Sequence, residues 1–184
     1  MQKDSKYKVA DMYAEAWLSA AVDAKCEDAV FSEVQALKNS FEQNRDMWKT
    51  LARPIDDAHF VIQMIEEFTK KMKFSKVSAE TLRLIGENKR IDLLGLIAED
   101  FKNLYYKHKG IIEVNVDTVI ELSASQRNKL QHIMEEKLHQ DVALNFRITP
   151  EILGGLAISF NSFLIDDTLS TKIKNLEQLI TEQN

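Results

Sequence analysis

One cysteine, Cys26, two prolines and five glycines are all that the 184 residues hold of these types. A lone cysteine excludes an intramolecular disulfide and fits a reducing compartment. So little proline and glycine, beside 45% hydrophobic residues, excludes a disordered chain and predicts a helix-rich folded one. No apolar run approaches the roughly 20 residues a membrane-spanning helix needs. The N-terminal MQKDSKYKVADMY carries charges but not the apolar core of a signal peptide. The protein is therefore expected to be soluble and to meet a membrane only through a partner. A net charge of −5 argues against nucleic acid or anionic lipid as the main partner. The length suits one medium domain or two small ones.

The signatures of chemistry are missing too. No G-x-S-x-G, H-E-x-x-H or dinucleotide loop occurs. Gly154-Gly155 precedes strand-like residues with no lysine near, whereas a phosphate loop wraps its amides ahead of a helix. Close backbone approach or an unusual turn is the better reading of that pair. His132 and His139 lie two turns apart on one helix, with Glu135 and Glu136 between, and zinc sites bring closer ligand pairs and a second ligand source. Neighbours in a helix diverge, so the pairs Asp56-Asp57, Glu66-Glu67, Glu99-Asp100 and Asp166-Asp167 read as solvated faces or caps. Cys26 lacks an adjacent base and reads as a small packed residue. No catalytic residue, cofactor or metal site is expected.

What is present is helical periodicity. From about Tyr7 to Val22, Val9, Met12, Tyr13, Ala16 and Ala20 form one stripe, and Ala10, Ala14, Trp17 and Ala21 a second beside it. That arc is wider than a single-sided surface helix needs, and small residues around one Trp make a seat for another helix. A second helix is expected over 26–39 with Ala29, Val30, Val34 and Leu37 inward. Ser40 reads as the N-cap of a short helix carrying Phe41, Met47, Trp48 and Leu51, ended by Arg53-Pro54. Asp56 or Asp57 opens a helix to Lys71 that buries Phe60, Met64, Ile65 and Phe68. Ser78 reads as the cap of the next, with Val77 stapled to Leu82. Leu82 and Ile85 face inward there, and Leu84 points away. A long helix over 91–107 uses Leu94, Ile97, Phe101 and Leu104.

His108-Lys109-Gly110 marks a boundary, a helix-ending Gly after charge. Strand alternation follows at Ile112, Val114 and Val116, then a helix over 124–139 burying Leu130, Ile133, Met134 and Leu138. Val142, Leu144, Phe146 and Ile148 form another strand. After Pro150 and Gly154-Gly155, Leu156, Ile158 and Phe160 alternate with small residues. Asn161-Ser162 is a two-residue turn, since Asn tolerates a left-handed backbone. Phe163-Leu164-Ile165 resumes an apolar run, and Leu169, Ile173, Leu176 and Ile180 share a helical face.

The sequence Pro150, Ile152-Leu153, Gly154-Gly155, Leu156 to Phe160, Asn161-Ser162, Ile165-Asp166 and Thr168 resembles the C-terminal signature of the delta subunit of the F-type ATP synthase. Its mitochondrial counterpart is the oligomycin-sensitivity-conferring protein. Tyr13-Ala14-Glu15-Ala16, Glu87-Asn88-x-Arg90 and Leu122-Ser123-Ala124-Ser125-Gln126 fit the same pattern, so the resemblance spans essentially the whole chain. Asn161 stands where that family usually has Gly. Thr149 replaces a usual acidic or amide residue and Ser159 a common basic one, so neither is read as a charge-dependent contact.

The resemblance implies a mainly α protein: an N-terminal six-helix bundle over 1–108, then a smaller α/β domain over 109–184 with a short sheet and two helices. It implies a non-catalytic peripheral-stalk subunit. The bundle would bind N-terminal helices of alpha subunits, and the α/β domain the C-terminal ends of b subunits. Location would be peripheral, on the cytoplasmic face of a bacterial inner membrane, or the matrix or stroma side in an organelle. Tyr13, Ala14, Ala16 and Trp17 are expected to wall a groove for the alpha helix, with Leu84 opposite. Pro150, Gly154, Gly155, Asn161, Asp166 and Thr168 are the family-defining positions, read as serving folding more than stalk contact. The alternative is a stand-alone helical adaptor or regulatory domain.

Overall fold

The computed structural model describes residues 2–44, 58–169 and 171, which are mostly helical with one small four-stranded sheet. The chain divides into two compact units, Met1–Tyr105 and Tyr106–Asn184. The first contains α1 (Gln2–Asp23), α2 (Glu27–Gln43), α3 (Ala58–Lys71), α4 (Lys76–Glu87), a 3-10 turn (Ile91–Leu93) and most of α5 (Leu94–Lys109).

The core of this unit takes one of the two stripes on α1. Ala10, Ala14, Trp17 and Ala21 are buried, and the Trp17 ring lies 5.4 Å from that of Phe101. Val9 and Tyr13 are half-buried, while Met12, Ala16 and Ala20 are exposed. On α2, Val30, Val34 and Leu37 are fully buried, but Ala29 is exposed, because it sits about 100° around the helix from Val30. Ser40 does not cap a new helix: α2 runs through it, and its carbonyl accepts from the Asn44 amide at 3.0 Å. Met47, Trp48, Leu51, Arg53-Pro54 and Asp56-Asp57 lie outside the described residues. On α3 the buried row is Val61, Ile65 and Thr69, with Met64 and Phe68 half-buried and Phe60 exposed. The inward face is thus rotated from the expected one.

The cap of α4 is Ser75 rather than Ser78, and its hydroxyl accepts from the Ser78 amide at 3.3 Å. Ser78 is fully buried in the first turn, where its hydroxyl donates to Glu33 of α2. With the cap three residues earlier, Val77 is already helical and the Val77–Leu82 staple does not arise. In α5, Leu94, Ile97, Phe101 and Tyr105 are buried, and Leu104 is only half-buried. Tyr105 gains its place by stacking on Phe31 at 4.1 Å and donating to Asp28 at 2.7 Å. Gly110, at φ +70°, ends the helix.

The second unit orders its strands β2-β1-β3-β4: β1 (Ile112–Thr118), β2 (Val142–Ile148), β3 (Leu156–Phe160) and β4 (Phe163–Asp166). β1 and β2 are parallel, as their connection through α6 (Ala124–Leu138) requires; β1–β3 and β3–β4 are antiparallel. Ser123 and Gln126 form a reciprocal capping box at the start of α6. Val114, Val116, Met134, Val142 and Ile158 make the core, with Leu130 and Leu138 packed against it. Ile133, expected inside, is exposed, being one position off the Leu130–Met134–Leu138 row. The turn at Asn161-Ser162 joins β3 to β4 with Phe160 opposite Phe163, and Asn161 takes φ +48°. Of the expected last helix, Ile173, Leu176 and Ile180 lie outside the described residues.

Candidate docking site

The neighbours of α1 can be placed around it by helical geometry. Lys6, on the same flank as Tyr13, meets Asp92 just beyond the end of α4 at 3.1 Å. Asp11, on the other flank, lies close enough to Asp100 of α5 to act on its charge. α4 packs on α1. On α4, a Cβ added to Gly86 would meet Ile65 at 2.7 Å, which turns that side toward α3. The side away from α3 carries Val77, Thr81 and Leu84.

Of the predicted site residues, Ala16 is exposed and Tyr13 half-buried on α1, and Leu84 is 49% exposed on α4. Ala14 and Trp17 face the interior, at 0% and 1% exposure. Trp17 Nε1 is buried with no hydrogen-bond partner. Met12, at 59% exposure, is the largest open apolar side chain of the unused stripe. It was visible in the periodicity, but nothing in the sequence says which stripe the core will take.

Glu33 had no signal in the sequence. Its carboxylate accepts from the Ser75 amide at 2.5 Å, the Ser75 hydroxyl at 2.8 Å and the Ser78 hydroxyl. Two carboxyls of α5 have opposed electrostatics. Burial pushes Glu99 up, but hydrogen bonds and charge from Lys38 and Lys102 outweigh it and hold it below its ordinary value. Burial raises Asp100, and the charges of Asp11 and Glu99 add to that.

In the second unit the segments 150–156 and 166–171, which hold most of the family-defining residues, are tied together in a hydrogen-bonded knot. Pro150 opens a 3-10 turn, and Leu153 and Gly155 take positive φ of 60° and 82°. The Leu169 amide donates to the Gly154 carbonyl at 2.9 Å, and the Asp167 amide to that of Leu156 at 3.1 Å. Asp166 accepts from the Thr168 amide at 2.9 Å and the Thr171 hydroxyl at 2.7 Å, and the Thr168 hydroxyl accepts from the Thr171 amide at 3.2 Å. Thr168 is itself buried. These bonds join the exit of β4 to the Gly-Gly turn. By contrast Ile120, Ile148 and Leu153, near the same end of the sheet, are open, as are Phe163, Leu164 and Ile165 of edge strand β4.

His132 and His139 are both exposed, and His132 meets Glu136 at 3.3 Å. Among the described residues no three histidine, cysteine or acidic side chains gather as a metal site would require. The features this surface offers are apolar seams and edges.

The model of the ATP synthase delta (OSCP) subunit family matches residues 9–180. The ATP synthase subunit delta of Brucella anthropi is 28% identical over 174 residues, covering 95% of this chain and 94% of that protein. That of Rhizobium meliloti is also 28% identical, with 95% and 93% covered, and that of Rickettsia bellii is 27% identical, with 94% and 91% covered. A chain in the cryo-EM structure of the Toxoplasma gondii mitochondrial ATP synthase hexamer shares the fold, with a TM-score of 0.74 over 94% of this chain and 97% of that one at 15% identity.

Proposed function

The chain belongs to the ATP synthase delta (OSCP) subunit family, a structural component of the peripheral stalk, and from that premise we propose how its two units divide the work. The first unit, completed as a six-helix bundle over 1–108, takes N-terminal helices of alpha subunits along the α1–α4 seam. The second, the α/β unit over 109–184, holds the C-terminal ends of the b subunits. The protein keeps the catalytic head from turning with the rotor, so that proton flow is coupled to ATP synthesis. Its contribution is affinity rather than bond-making. No described helix is long and apolar enough to cross a membrane. Within the complex the subunit sits at the cytoplasmic face in a bacterium, or the matrix or stroma side in an organelle.

The observation that carries this reading is that α1 has two apolar stripes and its own core uses one. A helix laid on the other would bury Met12 and Leu84, exposed large side chains of the kind that dominate helix-in-groove binding. Calorimetry with a peptide of the alpha N-terminus tests it. The wild type should bind with a negative heat-capacity change, and Ala16→Glu and Leu84→Glu should each weaken binding by about tenfold or more with the helical melt unchanged. Equal affinity in all three proteins rejects the seam. Pull-down from solubilised membranes, read by mass spectrometry for alpha and b subunits, tests the wider assignment.

A further inference from the structure

The wall of the seam formed by α4 is held at both ends. At its C-terminal end Gly86 allows α4 to close on Val61 and Ile65 of α3. At its N-terminal end the carboxylate of Glu33, a residue of α2, takes the Ser75 amide, the Ser75 hydroxyl and the Ser78 hydroxyl. Ser75 caps the helix and Ser78 is fully buried in its first turn. A carboxylate there satisfies free amide and hydroxyl donors and sits at the positive end of the helix dipole. α1 is anchored separately, through Trp17 on Phe101 and Lys6 on Asp92. The spacing of α1 and α4 then depends on where α2 pins the start of α4.

We infer that Glu33 is a positioning residue for partner binding, setting the place of the α4 wall, and so of Leu84, relative to α1. The inference rests on the proposed use of that seam. Glu33 is half-buried on α2 and acts through α4 rather than by touching the partner helix. A glutamine keeps its shape, but its amino group cannot accept: facing the Ser75 amide it leaves that donor without an acceptor, and facing the two hydroxyls it breaks both of their bonds to the carboxylate.

The test reads position apart from binding. In the full chain with Cys26→Ala, nitroxide labels at Lys8→Cys and Glu80→Cys report the α1–α4 distance by pulsed electron resonance. Both label sites are exposed, and affinity is read on the unlabelled proteins. Glu33→Gln should shift or broaden the distance distribution and weaken the alpha peptide about tenfold, the scale on which a residue that does not touch the ligand modulates its binding. Ser78→Ala, which removes a single donor and leaves Ser75 in place, should do the same to a smaller extent if Glu33→Gln folds poorly. A lowered melting temperature with unchanged distance and affinity would make Glu33 a stabilising residue only and overturn the inference. Failure of the wild type to bind the peptide would instead overturn the seam, while the distance measurement still decides the role of Glu33.

Discussion

A Cβ placed on Gly155 would lie 2.2 Å from the carbonyl oxygen of Asp167. That oxygen belongs to backbone just ahead of Thr168, so it cannot swing aside as a side chain would. Gly155 also sits at φ +82°, a conformation other residues adopt only with strain. Gly155→Ala should therefore cost at least about 2 kcal/mol, combining backbone strain with a contact that must be relieved by moving the chain. At Gly154 the obstacle is the Cδ1 of Leu169, the free end of a side chain, and Gly154→Ala should cost clearly less. Denaturant unfolding of the two variants checks the order; equal losses would mean that the knot does not hold the turn against β4.

The two neighbouring carboxyls of α5 should give opposite pH responses. Asp100 is raised in the folded chain, so stability is gained as pH falls through its folded value, and above that value its charge is a standing cost. Asp100→Asn should therefore stabilise at neutral pH, with the advantage fading in acid. Glu99 is lowered, so its contribution is present above its unfolded value and is lost as pH falls through the folded one. Glu99→Gln should destabilise at neutral pH and converge with the wild type in acid. Both groups are largely solvated, so each effect should stay within about 1 kcal/mol. Melting curves from pH 7 to below the carboxylate range check both signs.

The Ser123–Gln126 capping box gives a local prediction. Both halves of the box are formed, with the Ser123 amide donating to the Gln126 side chain at 2.9 Å and the Ser123 hydroxyl accepting from the Gln126 amide at 3.3 Å. Ser123→Ala should cost about 1 kcal/mol. Ser123→Asp should recover most of it, since a carboxylate can accept the same amide and favours the helix N-terminus. Denaturant titration measures both, and a loss that Asp does not recover would place the role of Ser123 elsewhere.

Where one periodicity stood alone, the fold was legible in the sequence. The alternation at Ile112, Val114 and Val116, the turn at Asn161-Ser162 and the Gly110 stop each appear as local rules predict. Legibility ended where two local choices were equally good and a distant group decided. Ser75 and Ser78 both suit a cap, and Glu33, on another helix, fixes the helix start at Ser75 while binding both hydroxyls. Phe60, Met64 and Phe68 make as good an inward row as Val61, Ile65 and Thr69, until the approach of Gly86 to Val61 and Ile65 settles it. The candidate site shows the same division. The double-width arc of α1 could be read from spacing, but not that Ala14 and Trp17 belong to the half the core consumes.

That division sharpens the test of the docking seam. A large polar residue at Ala14 would be forced into a fully buried site and should unfold the first unit before it reports on binding. Ala16 and Leu84 avoid this, because both are exposed and stand on different helices. If one partner helix touches both, the two substitutions share an interaction, and their effects on binding should not add. Ala16→Glu and Leu84→Glu together should weaken the alpha peptide by less than the sum of the single losses, with a coupling of at least about 0.5 kcal/mol. Strict additivity in a calorimetric double-mutant cycle would mean that the two residues meet separate parts of the partner and share no contact group, against the coupling expected here.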